Sequence, residues 1–364
     1  MNQLNRRQFA SATATLAAAS TQVVHVFGDQ ETQTIGYALV GLGNLSTNQI
    51  APALQTTKHA KLAAIVTGTP AKEQKWIAKY GIDRRHVYNY DNFEKIAQDE
   101  SVDVIYIVLP NGMHAEYTIR AAELGKHVFC EKPMANSAED CRSMIAACKK
   151  NGRALGIGYR CQFVPHHLRC IELAREREFG DLRMISAGFG FRIGDPNQWR
   201  LKQDLAGGGA LMDVGIYALQ ACRYISGREP KSVMATETKT DPVKFAEVDE
   251  TIVWDMEMPD DVACQCSTTY NFNGVNQFRA FASDGWFGLD PAFGYGGVSG
   301  KTSRGAIEAE TVDHFAAELD AFSRHLLFGE PNRVPGEEGL RDLLVIESIY
   351  KSIASGKRQT VPSI

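Results

Sequence analysis

Three polar side chains, Lys132, Asp213 and Tyr217, stand where a protein could use them to move a proton. Lys132 follows a short apolar run and precedes Pro133, whose ring restricts the turn, so its ammonium group is well placed to act at a strand end. Asp213 and Tyr217 are four residues apart, and on a helix both would project from one face. Each feature alone could be a surface lysine or a plain hydrogen-bonded pair. Together they predict an acid/base set.

Two glycine-rich stretches predict close contact between the backbone and a ligand. The first predicted strand runs into Gly41-Leu42-Gly43, where two glycines permit the tight turn that a pyrophosphate requires. A helix starting near Ser46 would point its N–H groups at that phosphate, although Ser46 replaces the third glycine of the usual fingerprint. Because this stretch opens a strand–helix series, a dinucleotide site is favoured over a mere tight turn. The run Gly207–Gly209, just before Asp213, similarly allows approach to a ligand.

Charge distinguishes between the two nicotinamide dinucleotides. Enzymes that use NAD usually carry Asp or Glu at the end of the second strand, bonded to the ribose 2′-hydroxyl. From Thr47 through Trp76 the only acidic residue is Glu73, whereas Thr67 and Lys72 offer a hydroxyl and a cation to a 2′-phosphate. This pattern predicts NADP. The alternative is that Lys72 is a solvated residue on a helix face.

The elements that must position these residues show two different patterns of predicted secondary structure, one in each half of the chain. From Gly36 to about Tyr159, short apolar runs alternate with helical stretches, which predicts βαβ units and a parallel sheet with helices on both faces. After about Cys161, longer strand-like runs with hairpin-like links predict a largely antiparallel sheet. A domain boundary near residue 160 follows, with the active cleft between the two domains.

Composition excludes several classes of protein. Of 364 residues, 44% are apolar and 23% are charged, and 39 basic against 43 acidic residues give a formal charge of −4. These values predict a globular protein with no nucleic-acid partner. The longest apolar run in the body, Val104–Leu109, is far shorter than the roughly twenty residues of a spanning helix, so no membrane insertion is expected. Eight cysteines without a CxxC pair predict reduced, mostly buried thiols and no metal site.

The first 30 residues differ from the rest of the chain. Arg6 and Arg7 precede a mildly apolar stretch rich in Ala, Thr and Ser, which is typical of a secretory signal. The paired arginines indicate the twin-arginine route and hence a periplasmic protein. The alternative is the N-terminal arm of a cytoplasmic protein.

The motifs together resemble the Gfo/Idh/MocA oxidoreductase family, and within it the branch of glucose–fructose and aldose–aldose oxidoreductases. The resemblance runs from about Gly36 to Val361 and rests on Glu-Lys-Pro after the fifth strand and on Gly-Gly-Gly-x-Leu-x-Asp-x-Gly-x-Tyr at 207–217. Most of the family has His where this chain has Tyr217, and Tyr marks the sugar oxidoreductase branch. The resemblance implies a Rossmann domain over residues 31–160, then an α/β domain over residues 161–364. The open, mostly antiparallel sheet of the latter is the family's usual face for forming a homodimer or homotetramer.

The resemblance also implies an activity. Such an enzyme oxidises an aldose at C1 to the aldonolactone and reduces a second sugar, an aldose or fructose, to the alditol, with tightly bound NADP(H) in a ping-pong cycle. Tyr217 would be the base, Lys132 would favour its phenolate and Asp213 would orient the sugar. The residues implied on the adenosine and pyrophosphate side are Leu42, Gly43, Asn44, Leu45, Thr67, Lys72 and Tyr90. Those implied nearer the nicotinamide are Asn111, His114, Glu131, Lys132 and Arg160, with Trp199, Arg200 and Tyr295 from the second domain.

Three alternatives stand beside this interpretation. The first is an ordinary NADP-dependent aldose dehydrogenase with a dissociable cofactor. The second is a hydrolase that uses its nicotinamide only transiently to cleave glycosides. The third is a sugar-binding protein without activity, which the joint presence of Lys132, Asp213 and Tyr217 disfavours.

Overall fold

The computed structural model describes residues 33–364, so the predicted leader or arm of residues 1–30 lies outside the described residues. Two sheets organise this part of the chain, one parallel and one mostly antiparallel, and both have helices packed against them. The predicted fold class is confirmed.

The first sheet is parallel, with strand order β3-β2-β1-β4-β5-β6. Its strands are β1 (Ile35–Val40), β2 (Ala60–Val66), β3 (Val87–Tyr88), β4 (Val104–Ile107), β5 (His127–Glu131) and β6 (Leu155–Gly158). The helices between them are α1 (Ala51–Ala53), α2 (Pro70–Tyr80), α3 (His114–Glu123) and α4 (Ala138–Lys150). Strand order reverses at the β1–β4 pair, and open α/β sheets bind ligands in the crevice outside the carboxyl ends at such a point.

Local sequence patterns predict the bounds of two of these helices correctly. Helices α2 and α4 begin and end where their patterns predict, and the Ser137 hydroxyl caps α4 by accepting the Asp140 N–H at 3.0 Å. Strand β3 was not predicted, because two residues are too few to show an alternating pattern. Strands β1 and β4 are buried along their whole length, as expected where helices cover both faces.

The second sheet has the order β14-β13-β12-β11-β7-β10-β9-β8-β15. Its strands are β7 (Leu182–Gly190), β8 (Ser232–Thr238), β9 (Thr251–Glu257), β10 (Ala263–Thr269), β11 (Asn276–Ala282), β12 (Gly285–Leu289), β13 (Gly300–Thr302), β14 (Gly305–Ala306) and β15 (Gln359–Thr360). Within this sheet, only the β7–β10 pair is parallel among the described strands, so the prediction of a mostly antiparallel sheet is confirmed. The sequence patterns do not predict strands β12–β15, because these strands are short and rich in glycine and polar residues.

The helices of the second half of the chain cover one face of this sheet, and two of them also pack against the first, parallel sheet or its helices. They are α5 (Pro165–Arg175), α6 (Gln203–Ala206), α7 (Ile216–Ser226), α8 (His314–Phe328) and α9 (Gly336–Ser355). Helix α8 packs on the parallel sheet, where the Tyr37 and Ser323 hydroxyls are 3.0 Å apart. Helix α9 lies between α4 and β8. The two sheets therefore share one continuous apolar core.

The segment that carries Asp213 and Tyr217 is not the single regular helix that the pattern predicts. A π-helical turn, Leu211–Gly215, precedes α7, so Asp213 lies in the wide turn and Tyr217 in the first turn of the α-helix. Among the described residues, the stretch Gln203–Ser226 has the length and apolar character of a membrane span. However, 83% of its apolar window is buried in the protein, as in an ordinary core helix.

The eight cysteines are all free and buried, which confirms the prediction of reduced thiols. Cys264 and Cys266 lie on the same buried face of β10, as their spacing predicts. The Sγ atoms of Cys222 and Cys266 are 3.4 Å apart in the core between α7 and β10.

Candidate active site

A cavity of about 470 Å³ opens at the carboxyl ends of β1, β2, β4 and β5. The predicted cofactor residues that line it are Leu42, Gly43, Asn44, Leu45, Thr67, Lys72, Tyr90, Asn111, Glu131, Lys132, Arg160, Trp199, Arg200 and Tyr295. Asp213 and Tyr217 line the same cavity, so the structure brings the predicted cofactor and catalytic residues together. Phe315, from α8, completes the wall and has no sequence signal that could have identified it.

The loop after β1 has the geometry that a pyrophosphate requires. Gly41 has a φ of +92°, and a Cβ there would lie 2.5 Å from the Val108 carbonyl oxygen, so only glycine fits. A Cβ at Gly43 would meet nothing within 4 Å, which leaves the backbone open towards the cavity. Ser46, in place of the third glycine, donates its hydroxyl to the Gly41 carbonyl at 2.6 Å and holds the turn. These residues fit a bound dinucleotide.

The end of β2 offers hydroxyls and a cation to this cavity. Thr67, Thr69 and Lys72 are part of its lining, and Lys72 lies in the first turn of α2. Among the described lining residues, this end contributes no carboxylate that would repel a 2′-phosphate. Tyr90 packs beside Gly68, where a Cβ would lie 3.2 Å from its ring. The arrangement fits NADP better than NAD.

His114 is the one predicted cofactor residue that the structure places elsewhere. Its side chain is fully buried, and its two ring nitrogens lie 2.9 Å from the carbonyl oxygens of Pro133 and Leu109. Burial lowers the pKa of His114, although the carbonyl oxygens that face its ring act in the opposite direction. His114 contacts the backbone of the loop after β4 and of the turn after β5 and does not line the cavity, so its place near the nicotinamide stays a prediction.

Asp213 is the centre of a charged cluster at the mouth of the second domain. Its Oδ1 accepts from Lys132 Nζ at 3.2 Å, and its Oδ2 accepts from Arg200 Nε at 3.1 Å and from the Tyr270 hydroxyl at 2.8 Å. Burial by itself raises the pKa of Asp213, but Lys132, Arg200 and Tyr270 outweigh it and hold the pKa at about 2. This carboxylate is therefore a fixed negative charge that positions two cations.

Tyr217 has a different partner from the one that the sequence predicts. Arg160 Nε donates to the Tyr217 hydroxyl at 3.3 Å, whereas Lys132 Nζ lies 4.8 Å from the centre of the tyrosine ring. Burial raises the pKa of Tyr217, and Arg160 acts in the opposite direction. The sequence predicts that Lys132 favours the phenolate, but Lys132 lies over the ring and not at the hydroxyl. The cation at the hydroxyl is Arg160, and burial dominates.

Arg160 also shapes the wall on the other side of Tyr217. Its Nη1 and Nη2 donate to the carbonyl oxygens of Gly294 and Phe293 at 3.1 and 2.5 Å, and its guanidinium lies 4.8 Å from the Tyr295 ring. The residue is 3% exposed, so its charge faces only these groups and the cavity. Arg160 thus joins Tyr217 to the loop that follows β12.

A second cavity, of about 370 Å³, adjoins the first at Tyr217. Both cavities are lined by Lys132, Arg160, Arg200, Asp213, Tyr217 and Tyr295. Its other walls are mainly aromatic, and the Phe189 and Phe293 rings pack 5.7 and 5.8 Å from that of Tyr217. Apolar rings beside a few charged groups suit a small polyol that presents both C–H faces and hydroxyls.

The backbone before Asp213 is held by residues that sequence reasoning missed. The Asp249 carboxylate accepts the N–H groups of Gly209 and Leu211 at 2.7 and 2.9 Å, and the Tyr350 hydroxyl at 2.6 Å. A Cβ at Gly209 would lie 2.0 Å from the Asp249 carbonyl oxygen, and one at Gly208 would lie 2.1 Å from the Tyr350 hydroxyl. The glycine run therefore permits close packing within the protein, and not the predicted approach to a ligand.

Within residues 33–364, no group of three or more His, Cys, Asp or Glu side chains is arranged to hold a metal ion.

Comparisons with known proteins agree on the family. A model described as oxidoreductase family, NAD-binding Rossmann fold, matches residues 35–159, and one described as GFO/IDH/MocA C-terminal domain matches residues 167–288. A D-xylose 1-dehydrogenase (NADP(+)) from Haloferax volcanii is 30% identical over 328 residues, which cover 88% of this chain and 98% of that protein. The corresponding enzyme from Haloarcula marismortui is 29% identical over 87% and 91% of the two chains. The crystal structure of an aldose-aldose oxidoreductase from Caulobacter crescentus, complexed with glycerol, superposes with a TM-score of 0.88, 42% identity and coverage of 90% and 100%.

Proposed function

The chain belongs to the Gfo/Idh/MocA family of oxidoreductases, and on that premise we propose that it is an NADP-dependent sugar oxidoreductase. The substrate we propose is an aldose, oxidised at C1 to the aldonolactone. The observation that carries this proposal is the position of Tyr217, which lies between a cavity suited to a dinucleotide and an aromatic-walled cavity suited to a sugar. The likeness to sugar dehydrogenases and to an aldose-aldose oxidoreductase supports the same substrate class.

In the proposed reaction, the side chains of this chain move the proton while a bound nicotinamide supplies a hydride acceptor and, when reduced, a hydride donor. Tyr217 takes the proton from the C1 hydroxyl of the sugar. Arg160, which donates to the Tyr217 hydroxyl at 3.3 Å, stabilises the phenolate that accepts the proton when the first sugar is oxidised. Tyr217 then holds this proton and returns it to the second sugar when that sugar is reduced. Asp213 keeps Lys132 and Arg200 in place, and both ammonium and guanidinium can donate to sugar hydroxyls.

We further propose that the protein retains its dinucleotide and completes a ping-pong cycle by reducing a second sugar, an aldose or fructose, to the alditol. The 42% identity to an aldose-aldose oxidoreductase supports this proposal. The test is to incubate the protein as purified with glucose alone and no added cofactor, and to measure gluconate and sorbitol. Both products together would support the cycle, and sorbitol that appears only with fructose would make the acceptor the ketose. Absence of sorbitol both with glucose alone and with glucose plus fructose would contradict it.

The second candidate is an ordinary NADP-dependent aldose dehydrogenase with a dissociable cofactor, which the full-length likeness to two D-xylose 1-dehydrogenases favours. Extensive dialysis followed by an absorbance spectrum separates the two candidates. A near-ultraviolet band of reduced nicotinamide that is present after dialysis and addition of glucose, and is bleached by an acceptor sugar, supports retention. Loss of the band, with activity restored by added NADP, supports the dehydrogenase.

We propose that the protein is exported folded to the periplasm by the twin-arginine route. The paired Arg6 and Arg7 support this, and so do eight free cysteines, which are typical of a protein that folds in a reducing compartment. Export would also make a retained cofactor useful outside the cytoplasm. Cell fractionation of the wild type and of an R6K/R7K variant tests the proposal, because only the wild type should reach the periplasm.

We propose that two copies assemble through the outer face of the second sheet, as a homodimer or as part of a homotetramer. Helices cover one face of this sheet, while side chains on the other, among them Val253 and Phe281, are 45% and 37% exposed. Light scattering of the wild type and of a V253E variant tests this assembly. A monomeric wild type would contradict it.

A further inference from the structure

A carboxyl group that the proposed reaction does not use is buried behind the first cavity. Glu318 in α8 is 1% exposed, and within residues 33–364 neither of its side-chain oxygens has a hydrogen-bond partner. An ionised carboxylate in such a place is costly. Burial raises the pKa of Glu318 well above its usual range, and the nearby Glu131 carboxyl raises it further.

The packing of α8 shows that Glu318 faces Glu131. Phe322, one turn after Glu318, has its ring centre 5.0 Å from that of Phe129 in β5. Glu131 is two residues after Phe129, so the two side chains point to the same face of the sheet. Phe315, nearly one turn before Glu318, lines the cavity that Glu131 also lines. The buried carboxyl of Glu318 therefore lies behind a carboxyl at the wall of the dinucleotide cavity.

Glu131 is held in position by groups that do not neutralise it fully. Its Oε1 accepts the Tyr106 hydroxyl at 2.7 Å, and its Oε2 accepts the Lys132 N–H at 3.2 Å. A Cβ at Gly158 would lie 2.9 Å from Oε1, so glycine leaves the room that this carboxyl occupies. Burial also raises the pKa of Glu131. Two like charges in one buried site oppose each other's ionisation.

Side chains from several elements affect whether the two carboxyls are ionised. The titratable or charged side chains that act on Glu131, Glu318 or both include Tyr37 of β1, Tyr106 of β4, Cys130 of β5, Lys132 after β5, Arg160 and Cys161 after β6, Tyr217 of α7 and Tyr295 after β12. Lys132 and Arg160 favour ionisation of Glu131, whereas burial opposes ionisation of both carboxyls. One negative charge on the pair is thus supported by nearby cations, and a second is not.

We propose that the two carboxyls of Glu131 and Glu318 together carry one proton and exchange it with solvent when the charge in the cavity changes. The oxidised nicotinamide ring carries a positive charge and the reduced ring does not, so the doubly ionised pair is favoured only with the oxidised form. The proton passes between a carboxyl and solvent, and no other bond forms or breaks. The cavity's preference for NADP⁺ over NADPH then rises with pH. This inference rests on the dinucleotide site of the proposed function and not on the identity of either sugar.

The test contains no sugar, so it can fail or succeed independently of the proposed oxidation. The purified full-length protein is incubated with equal concentrations of isotope-labelled NADP⁺ and NADPH, at a series of pH values from neutral to alkaline, until the label has replaced the nucleotide with which it was purified. The bound nucleotides are then released and quantified by chromatography. In the wild type we expect the bound ratio of NADP⁺ to NADPH to rise with pH, by up to about tenfold per pH unit where the pair titrates. The 2′-phosphate is common to both nucleotides and cancels from the ratio.

The variant E318Q should abolish this slope, because an amide fills the same space and does not ionise. S323A is the matched control, since it removes a buried hydroxyl from the same helix without removing a titratable group, and it should keep the wild-type slope. A bound ratio independent of pH in the wild type would overturn the proposal whether or not the variants fold. An E318Q slope equal to that of the wild type would overturn it as well.

Discussion

Two aspartates, Asp213 and Asp342, each pair with an arginine, but the protein treats their charges in opposite ways. Asp213 lies at the active-site cavity with its side chain 19% exposed, and its pKa is held at about 2 by Lys132 and Arg200 against the effect of burial. Asp342 of α9 has a fully buried side chain, 2.5 Å from Arg223 Nη1, and burial raises its pKa to about 6.

The difference follows from what else surrounds each carboxylate. Asp213 is shared between two cations and receives a hydroxyl as well. Arg223, by contrast, is shared among several carboxylates, because it also pairs with Glu229 and Glu338 at 2.7 and 3.0 Å. At the site an excess of positive charge holds one anion firmly. In the core an excess of negative charge leaves one anion poorly supported, so an ion pair in the core does not by itself indicate a stabilised charge.

The largest expected effect concerns the site itself. Y217F should lower kcat by about a thousandfold, because the variant lacks the proton acceptor. Binding of NADP and the unfolding free energy should change little, since the aromatic ring remains. The matched control is Y224F, seven residues later in the same α-helix and outside the first cavity, which should keep wild-type kcat. A Y217F variant with wild-type kcat would remove Tyr217 from the mechanism.

The core cluster can be broken by removing Arg223, the arginine that pairs with all three of its carboxylates. R223M should lower the free energy of unfolding by about 4 kcal/mol, because the buried Asp342 loses its arginine partner and Glu229 and Glu338 keep only Arg341. Urea denaturation measures this loss, and the folded fraction should keep its kcat. R228M removes an exposed arginine that pairs with Asp260 and should change stability by less than about 0.5 kcal/mol. Equal losses in the two variants would show that burial of Arg223 is unimportant.

Replacing either aspartate by asparagine tests whether the protein stabilises the charge of Asp213 and disfavours that of Asp342. D213N should lower the unfolding free energy at neutral pH by about 2 kcal/mol, because the cavity favours the ionised form that the variant lacks. Its kcat should fall roughly a hundredfold as Lys132 and Arg200 lose their anchor. D342N should be neutral or slightly stabilising, because the fold disfavours the charge that the variant removes. Strong destabilisation of D342N alone would reverse our interpretation of both sites.

The smallest effect is a pair of opposite pH dependences. The pKa of Asp213 is lowered on folding, so the stability of the wild type relative to D213N should be present above about pH 4 and fall as the pH drops towards 2. The pKa of Asp342 is raised on folding, so the wild type should lose stability relative to D342N as the pH rises from about 4 to about 6. Each slope should not exceed about 1.4 kcal/mol per pH unit. Urea denaturation of the three proteins across this range measures both, and slopes of the same sign would contradict the comparison.

Sequence patterns predicted the first half of the fold better than the second. The alternation of apolar runs and amphipathic stretches located α2 and α4 to the residue, since caps and breakers mark their ends. Strand β3 and strands β12–β15 carry no such pattern, because they are short and stabilised by pairing with neighbours. The π-helical turn before α7 also has no sequence signal, because Asp249, some forty positions away in the chain, holds the preceding backbone.

The sequence by itself determined which residue types could carry the chemistry and, through Gly41, Gly43 and the strand–helix alternation, that a dinucleotide cavity should form beside them. The tertiary structure alone decided which groups meet. It placed Arg160 at the Tyr217 hydroxyl and Tyr270 at Asp213, and it turned His114 inwards to the backbone. The physical reason is that periodicity specifies the face on which a side chain lies. Contacts between distant positions depend on strand order and helix packing, which no local pattern encodes.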